Sequence, residues 1–384
     1  MPLTTDVPPL ARPRLLLAGA GHAHLHIIRR RQRFADAEVY LIDPGGFWYS
    51  AMAAGVLSGR LPPAADRIDP ARLARRHGVI PIRGRLAGLD PPNKQALLED
   101  GRRLPFTLLS LNLGSRTITP VMRQPGPQVW AVKPLPCLVA LRHRLERDFR
   151  QGASPRLLVV GGGASGIEVA SNLHALAKRH RTHCPITLVT RGTGLIPDAP
   201  PGARRFVSRL MKRRGIRVIT EAEVTGTLGN GVMLRADETR SGEDSLSLIE
   251  ADHVIHAVGL APPEVIERLG LPQFPGRGLA VSSHLQSLGH PDIFAAGDCA
   301  AMVDHLLPRL GVFGIRQASV LLDNLLARLE GGELRSYEPQ PRALAILDLG
   351  EGLGLAIRGS HWWAGRSALL WKGWLDRRFM SQYR

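Results

Sequence analysis

Two glycine-rich stretches hold the residues of this chain best suited to chemistry. "LLLAGAGHAHL" spans residues 15–25 and "LLVVGGGASGI" spans residues 157–167. Each is an apolar run, a glycine turn and the start of a helical segment. Such a loop presents backbone N–H groups at a helix N-terminus, where the helix dipole also favours an anion, so it suits a phosphate. Gly161, Gly163 and Gly166 complete a G-x-G-x-x-G spacing, with Ala164 and Ser165 inside it. Gly19 and Gly21 open the same spacing, but its third place holds His24. The first glycine permits the tight turn, the second lets backbone approach a pyrophosphate, and the third lets helix and strand pack closely. Only the packing glycine is replaced. His24 is therefore expected to hold the helix slightly off its strand without blocking a phosphate. His22, beside the loop amides, is placed to donate to one. His22, His24 and His26 alternate, which also raises a metal site or a loop that has lost its ligand. No Cys, Asp or Glu stands near them, so no metal is expected.

Asp43 ends "VYLID" 24 residues after Gly19. An acidic side chain at that distance reaches ribose hydroxyls; the alternative is a turn residue ahead of Pro44 and Gly45. The matching strand of the second stretch, "PITLVTR", ends instead in Thr190 and Arg191. No carboxylate is available there to bind a 2′-hydroxyl or repel a 2′-phosphate, and Arg accommodates such a phosphate. If a nicotinamide dinucleotide binds there, NADPH is expected ahead of NADH, with neither as the remaining alternative. Cys137, Cys184 and Cys299 are far apart and form no C-x-x-C. A disulfide framework or local dithiol centre is not expected.

The elements that position these residues repeat once. Gly161 follows Gly19 by 142 residues. "LLSLNLGS", with Gly114, and "HVIHAVGL", with Gly259, are two further apolar strands ending in glycine, 145 residues apart from glycine to glycine. Between loop and closing strand, each copy has a second strand and hairpin material, with an Asn230-Gly231 turn in the second. Two copies of strand, loop, helix, strand, hairpin and strand imply two doubly wound α/β domains. The 384 residues suffice for two cores. The net charge is +17, with 45 of the 50 basic residues arginine. Such a field attracts phosphate-bearing cofactors, anionic lipid or nucleic acid. The arginines are scattered and no nucleic-acid-binding signature accompanies them, so nucleic acid is not an expected partner. "MPLTTDVPPLARP" has no apolar signal core and no run of 18 apolar residues occurs, which leads to a cytoplasmic expectation.

This arrangement resembles the two-dinucleotide-binding-domain flavoproteins of the pyridine nucleotide–disulfide oxidoreductase superfamily, and within it the type II NADH dehydrogenases. It is most similar to the flavoprotein module found fused to selenide, water dikinase, through "GAGHAHL", "YSAMAAGVLSG", "WAVKPL", "GVFGIRQASVL" and "DRRFMSQY". The resemblance implies an FAD domain at 12–120 and 265–334, an inserted NAD(P)H domain at 121–264, and a C-terminal region from 335. It implies that Asp298 in "AAGDC", after Gly297, takes ribityl hydroxyls, and that Tyr49 and Ser50 pass the flavin ring. Gln317, opening the helix after "GVFGI", would point that helix at the flavin's pyrimidine edge, where quinone passes in the resembling enzymes. Glu168 would orient the dihydronicotinamide. Lys133 would approach the flavin. Gly114 and Gly259 close the two nucleotide sites.

The implied activity is hydride transfer from NAD(P)H to FAD and electron transfer to a quinone-like acceptor. The alternatives are sulfide:quinone-type oxidation, which needs a cysteine pair, and a non-catalytic flavoprotein. The tail, "HWWAGRSALLWKGWLDRRFMSQYR", places Trp371, Leu375, Phe379 and Tyr383 four residues apart, with Leu370 and Trp374 beside them. That is an apolar helical stripe. Lys372, Arg377, Arg378 and Arg384 flank it, as in a helix lying in a lipid interface on the inner face of the membrane. Packing on the FAD domain or on a second copy in a homodimer is the competing expectation.

Overall fold

The computed structural model describes residues 12–118, 126–236, 246–340 and 342–384. The expected boundary at 120/121 and most of the leading segment lie outside the described residues.

The strand Arg14–Ala18 is apolar and buried along almost its whole length, as a central parallel strand must be. It pairs in parallel with Glu38–Asp43 on one side and Leu108–Leu111 on the other. Ile80–Arg83 and Ile293–Ala295 complete a five-stranded sheet at its two edges. The second sheet repeats this order: Gln128–Ala131, His253–His256, Leu157–Val160, Ile186–Val189, Arg217–Ile219, all parallel. Both glycine loops leave the C-terminal end of a central strand, where ligands of open α/β sheets bind. The first core takes up the chain again at Val265 and includes the helix residues Leu321, Leu322 and Leu325. The sheet pair Arg116–Thr117 with Leu260–Ala261 ties the two units together beside the loops.

The C-terminal region packs on both units. Three antiparallel strands, Leu344–Asp348, Gly354–Arg358 and His361–Gly365, lead into the helix Arg366–Met380. Leu347, Leu349 and Leu355 join the core of the second unit, whereas Met380 and Tyr383 join that of the first. The helix differs from expectation in its register. Its buried line is Ala368, Lys372, Asp376 and Met380, one residue on from the apolar stripe. Lys372 is not a flanking surface charge; it is 5% exposed. Its ammonium is paired within the helix to Asp376 at 2.9 Å, which makes its burial tolerable. Leu370, Trp371 and Trp374 face outward at 71, 38 and 48% exposure.

Gln317 also sits differently. The helix it was expected to open runs Gly311–Glu330, so Gln317 lies in its second turn. Gly311 and Gly314 are poor helix formers, and of the two only Gly311 meets a tight neighbour. A Cβ at Gly311 would lie 3.3 Å from the His22 ring, and one at Gly314 3.5 Å from the Gly297 Cα.

Candidate active site

The two glycine loops make the same turn and solve the helix–strand contact in opposite ways. Gly19 and Gly161 have φ of 85° and 127°. At Gly166 a Cβ would sit 1.8 Å from the Gly161 carbonyl oxygen, so that helix needs glycine to close on its strand. His24 stands in the equivalent place and its ring fills the gap. Nδ1–H donates to the Gly19 carbonyl at 2.5 Å, and Nε2 accepts from the Ser110 hydroxyl at 2.8 Å. Burial pulls its pKa down to about 4, so the ring is neutral, as this pair of bonds requires. The three histidines do not converge: His24 is in the core, His26 lies beside Arg30, and His22 faces an aromatic group.

A residue that sequence reasoning missed braces the first loop. Asn112 accepts from the amides of Ala23 and His24 through Oδ1 and donates to the Ala296 carbonyl through Nδ2. A Cβ at Gly21 would lie 2.2 Å from its Oδ1. The signal was present: Ser110 and Asn112 are polar residues in an otherwise apolar strand, "LLSLNL".

A cavity of about 590 Å³ runs from this loop between the two units. Gly19, Gly21, His22, Asp43, Ser50, Gly114, Gly297 and Asp298 all line it. Asp43 stands at one end. Its carboxylate takes the amides of Ala20, Gly45 and Gly46, so it shapes the turn whether or not it also meets a ribose. Asp298 stands at the other, where Oδ2 accepts from Lys133 Nζ at 2.9 Å and from the Ser115 hydroxyl at 2.6 Å. Burial opposes the Asp298 charge, but Lys133 and Ser115 outweigh it and hold the carboxyl below its usual range. Gln317 does not line this cavity. It is 3% exposed, and its Oε1 accepts from the Gly297 amide at 2.7 Å, which holds the turn carrying Asp298.

His22 is packed edge-on to Phe47 and Tyr49 and lies against Phe379 of the C-terminal helix. Burial lowers its pKa to about 4, and its Nε2 is buried without a partner. Tyr49 stacks on Phe379 at 4.2 Å and its hydroxyl faces Asp376, so it turns toward that helix. The second unit's loop is open: Gly163, Ala164 and Ser165 are exposed at the start of the helix Ala164–Arg179. Thr190 accepts from the Gly192 amide, and Gly162 packs on its side chain. Arg191 projects into solvent, 3.6 Å from Glu223. Gly259, at φ 48°, begins the segment that crosses back to the first unit. Glu168 accepts from the Asp348 amide at 2.7 Å. Burial pushes it up to about 7, against the pull of Lys372.

These residues fit a dinucleotide on an observation independent of any ligand: the buried, unpartnered Nε2 of His22 stands beside the cavity that the first glycine loop lines. Two dinucleotide folds joined at their loop ends define the class of flavin- and nicotinamide-dependent oxidoreductases. The chain belongs to the pyridine nucleotide-disulphide oxidoreductase family, whose model matches residues 13–320. Among similar proteins are demethylphylloquinone reductase NdbB of Synechocystis, 27% identical over 91% of this chain and 89% of that protein. The NADH dehydrogenase-like protein YutJ of Bacillus subtilis is 24% identical over 93% and 98%. Solved structures of the same fold include NDH2 from Plasmodium falciparum, at TM-score 0.81 and 14% identity, covering 96% of each chain. The sulfide:quinone oxidoreductase of Aquifex aeolicus has TM-score 0.81 and 16% identity, covering 97% of this chain and 91% of that one. The protein is an FAD-dependent oxidoreductase that takes electrons from a pyridine nucleotide.

Proposed function

We propose that the chain is an NAD(P)H:quinone-type oxidoreductase. The observation that carries this reading is the cavity linking the Gly19–Gly21 loop to the Lys133–Asp298–Ser115 group. Two relatives whose names specify quinone reduction and NADH dehydrogenation, each covering most of the chain, support it. FAD bound there supplies a ring that accepts hydride from reduced nicotinamide and passes electrons to an acceptor. The chain's residues orient and hold charge. The first turn of the Gly311–Glu330 helix faces the cavity and favours negative charge there. Lys133 keeps Asp298 ionised for ribityl hydroxyls. Glu168 orients the nicotinamide. The neutral ring of His22 and the ring of Phe47 line the cavity, with Tyr49 and Phe379 packed against His22, an aromatic side suited to a flat acceptor. Mixing the protein anaerobically with NADPH or NADH tests this: the flavin absorbance near 450 nm should bleach and return on addition of a short-chain quinone. No bleaching with either nucleotide would sink the reading.

Arg191 carries the choice of nucleotide in this reading. Arg191→Ala should raise the KM for NADPH about tenfold or more, the value of a lost charge-assisted contact of roughly 1.5–3 kcal/mol. The KM for NADH should hardly move. Steady-state kinetics with both nucleotides reads this, and equal effects would place Arg191 away from the 2′ position.

Sulfide oxidation is not favoured. All three thiols are free; burial raises Cys299 to about 11 and Cys184 to about 12, and raises Cys137. A raised thiol is a poor source of nucleophilic thiolate. The finer resemblance to the module fused to selenide, water dikinase supplies no step here.

The acceptor's home is read from the tail. Among the described residues no helix is long and apolar enough to cross a membrane. Trp363 stacks on Trp371 at 5.4 Å, and both stand exposed beside Trp374 and Leu370. Arg378 lies over the Trp374 ring. Aromatic side chains with arginines around them suit peripheral attachment to an anionic bilayer, where a quinone is dissolved.

A further inference from the structure

We propose that Asp348, in the hairpin of the C-terminal region, is a positioning residue of the nicotinamide half-reaction: pinned by Arg60 of the first unit, it holds its amide N–H against one oxygen of Glu168. This rests on the reading of Glu168 as the group that orients the nicotinamide.

The bonds join three parts of the chain. The strand Leu344–Asp348 ends in a tight turn, with Gly350 at φ 71°, before the strand Gly354–Arg358. The Asp348 amide donates to Glu168 Oε1 at 2.7 Å, and the Asp348 carbonyl accepts from Asn172 Nδ2 at 2.8 Å. Asn172 lies one turn on from Glu168 in the helix Ala164–Arg179 and also donates to the Glu168 carbonyl, at 2.9 Å. The Asp348 backbone is thus bonded to that helix through both its donor and its acceptor. The turn seats closely on the same helix: a Cβ at Gly350 would lie 2.8 Å from the Ser171 carbonyl oxygen. Arg214 donates to the Leu349 carbonyl at 2.5 Å and pairs with Glu351 at 3.1 Å.

The Asp348 side chain fixes this arrangement from the other side. Its carboxylate is 1% exposed; Oδ1 accepts from the Gly350 amide at 2.9 Å, and Oδ2 from Arg60 Nη2 at 2.6 Å. A buried carboxylate is costly unless it is paired and bonded. An asparagine would have served the Gly350 turn through the same oxygen, so the charge is accounted for by Arg60. Arg60 follows the helix Ser50–Leu57 of the first unit, and its guanidinium lies against Gly55 in that helix. A Cβ at Gly55 would stand 2.4 Å from Nη2 and displace it from Asp348. The second oxygen of Glu168 has no hydrogen-bond partner among the described residues. With Oε1 fixed, that oxygen is the one available to a nicotinamide carboxamide. A carboxyl oxygen accepts an amide N–H whether or not the group is ionised, so the pin holds in either state of Glu168.

The test is a double-mutant cycle on the flavin-loaded full chain. Two half-reactions are followed by anaerobic stopped flow: bleaching by saturating NAD(P)H, and reoxidation of dithionite-reduced flavin by a short-chain quinone. Arg60→Met and Asp348→Asn should each slow bleaching about tenfold, as a misdirected orienting group does, and leave reoxidation unchanged. Arg60→Lys should recover most of the rate. Arg60→Met with Asp348→Asn leaves no orphaned buried carboxylate and guards against misfolding; it should be no slower than the slower single variant. Glu168→Ala should slow bleaching at least as much, and adding Arg60→Met to it should change nothing further, because Arg60 acts through Glu168. Bleaching at the wild-type rate in the Arg60 and paired variants, equal losses in both half-reactions, or a full further loss on top of Glu168→Ala would overturn the proposal. Wild-type bleaching in Glu168→Ala would overturn it together with the role of Glu168. In each of those cases the wild type still bleaches, whereas failure of the oxidoreductase reading itself would show as no bleaching at all.

Discussion

Asp298→Ala should leave the purified protein nearly colourless. In the wild type this carboxylate ends the cavity, takes Lys133 and Ser115 on one oxygen, and sits in a turn held by Gln317. The substitution removes the acceptor offered to ribityl hydroxyls. It also strands Lys133, whose side chain is 22% exposed and loses its only ion-pair partner among the described residues. Bonds to charged groups contribute about 1.5–3 kcal/mol each, and an unpaired, partly buried charge adds its own penalty. Two such losses weaken FAD binding by roughly two to four orders of magnitude. The flavin-to-protein absorbance ratio should fall to about a tenth or less. Asp298→Asn, which keeps an acceptor but not the charge, should fall between. A variant that holds FAD at the wild-type ratio would place the ribityl chain elsewhere.

Much of this site could be read before the coordinates, and the reasons differ from residue to residue. Gly19, Gly21, Gly161, Gly163 and Gly166 are legible from their spacing; a positive φ at Gly19 and Gly161 and collisions of 2.2 and 1.8 Å at Gly21 and Gly166 hold those four to glycine, whereas Gly163 has open space around it. The sheet order follows from a repeat of apolar strands. Asp43 and Asp298 stand at strand ends, where a polar residue has few other reasons to be. Asn112 was harder, because its work is on backbone amides 88 and 89 residues away and no spacing rule reports that. His24, also expected among the cofactor-binding residues, is fully buried and does not line the cavity, and its hydrogen bonds to Gly19 and Ser110 depend on a strand that folds beside it much later in sequence. Gln317 was misplaced because glycines at 311 and 314 weaken a helix locally, and tertiary contact overrides that weakness. Lys372 and Asp376 were misread for a deeper reason. Periodicity assigns faces by hydrophobicity, and here the inward face carries an ion pair while tryptophans stand outside.

That inversion sets the expected behaviour of the tail. Ending the chain at Gly359 should unfold it or strip its flavin, not merely free it from a membrane. The truncation removes Met380 and Tyr383 from the first core, Trp362 from its seat on Gly202 and Phe206, and Phe379 from the His22–Tyr49 group. It also takes away Lys372 and Asp376. Deleting two or three large buried side chains costs about 3–5 kcal/mol each, comparable with the whole stability of many domains. The outer face can be tested apart from the inner one. Leu370→Ser, Trp371→Ser and Trp374→Ser together should leave the melting temperature within a few degrees and the flavin in place, because these side chains are 71, 38 and 48% exposed. Binding to anionic vesicles should fall, since the apolar anchors are gone while the arginines remain. Co-flotation of wild type but not of the triple variant, with dye reduction intact in both, is the expected result. If neither floats, and sedimentation shows wild type associating where the variant does not, a second copy of the chain covers this face instead. The acceptor would then reach the flavin from solution, and the membrane would have no part in the reaction.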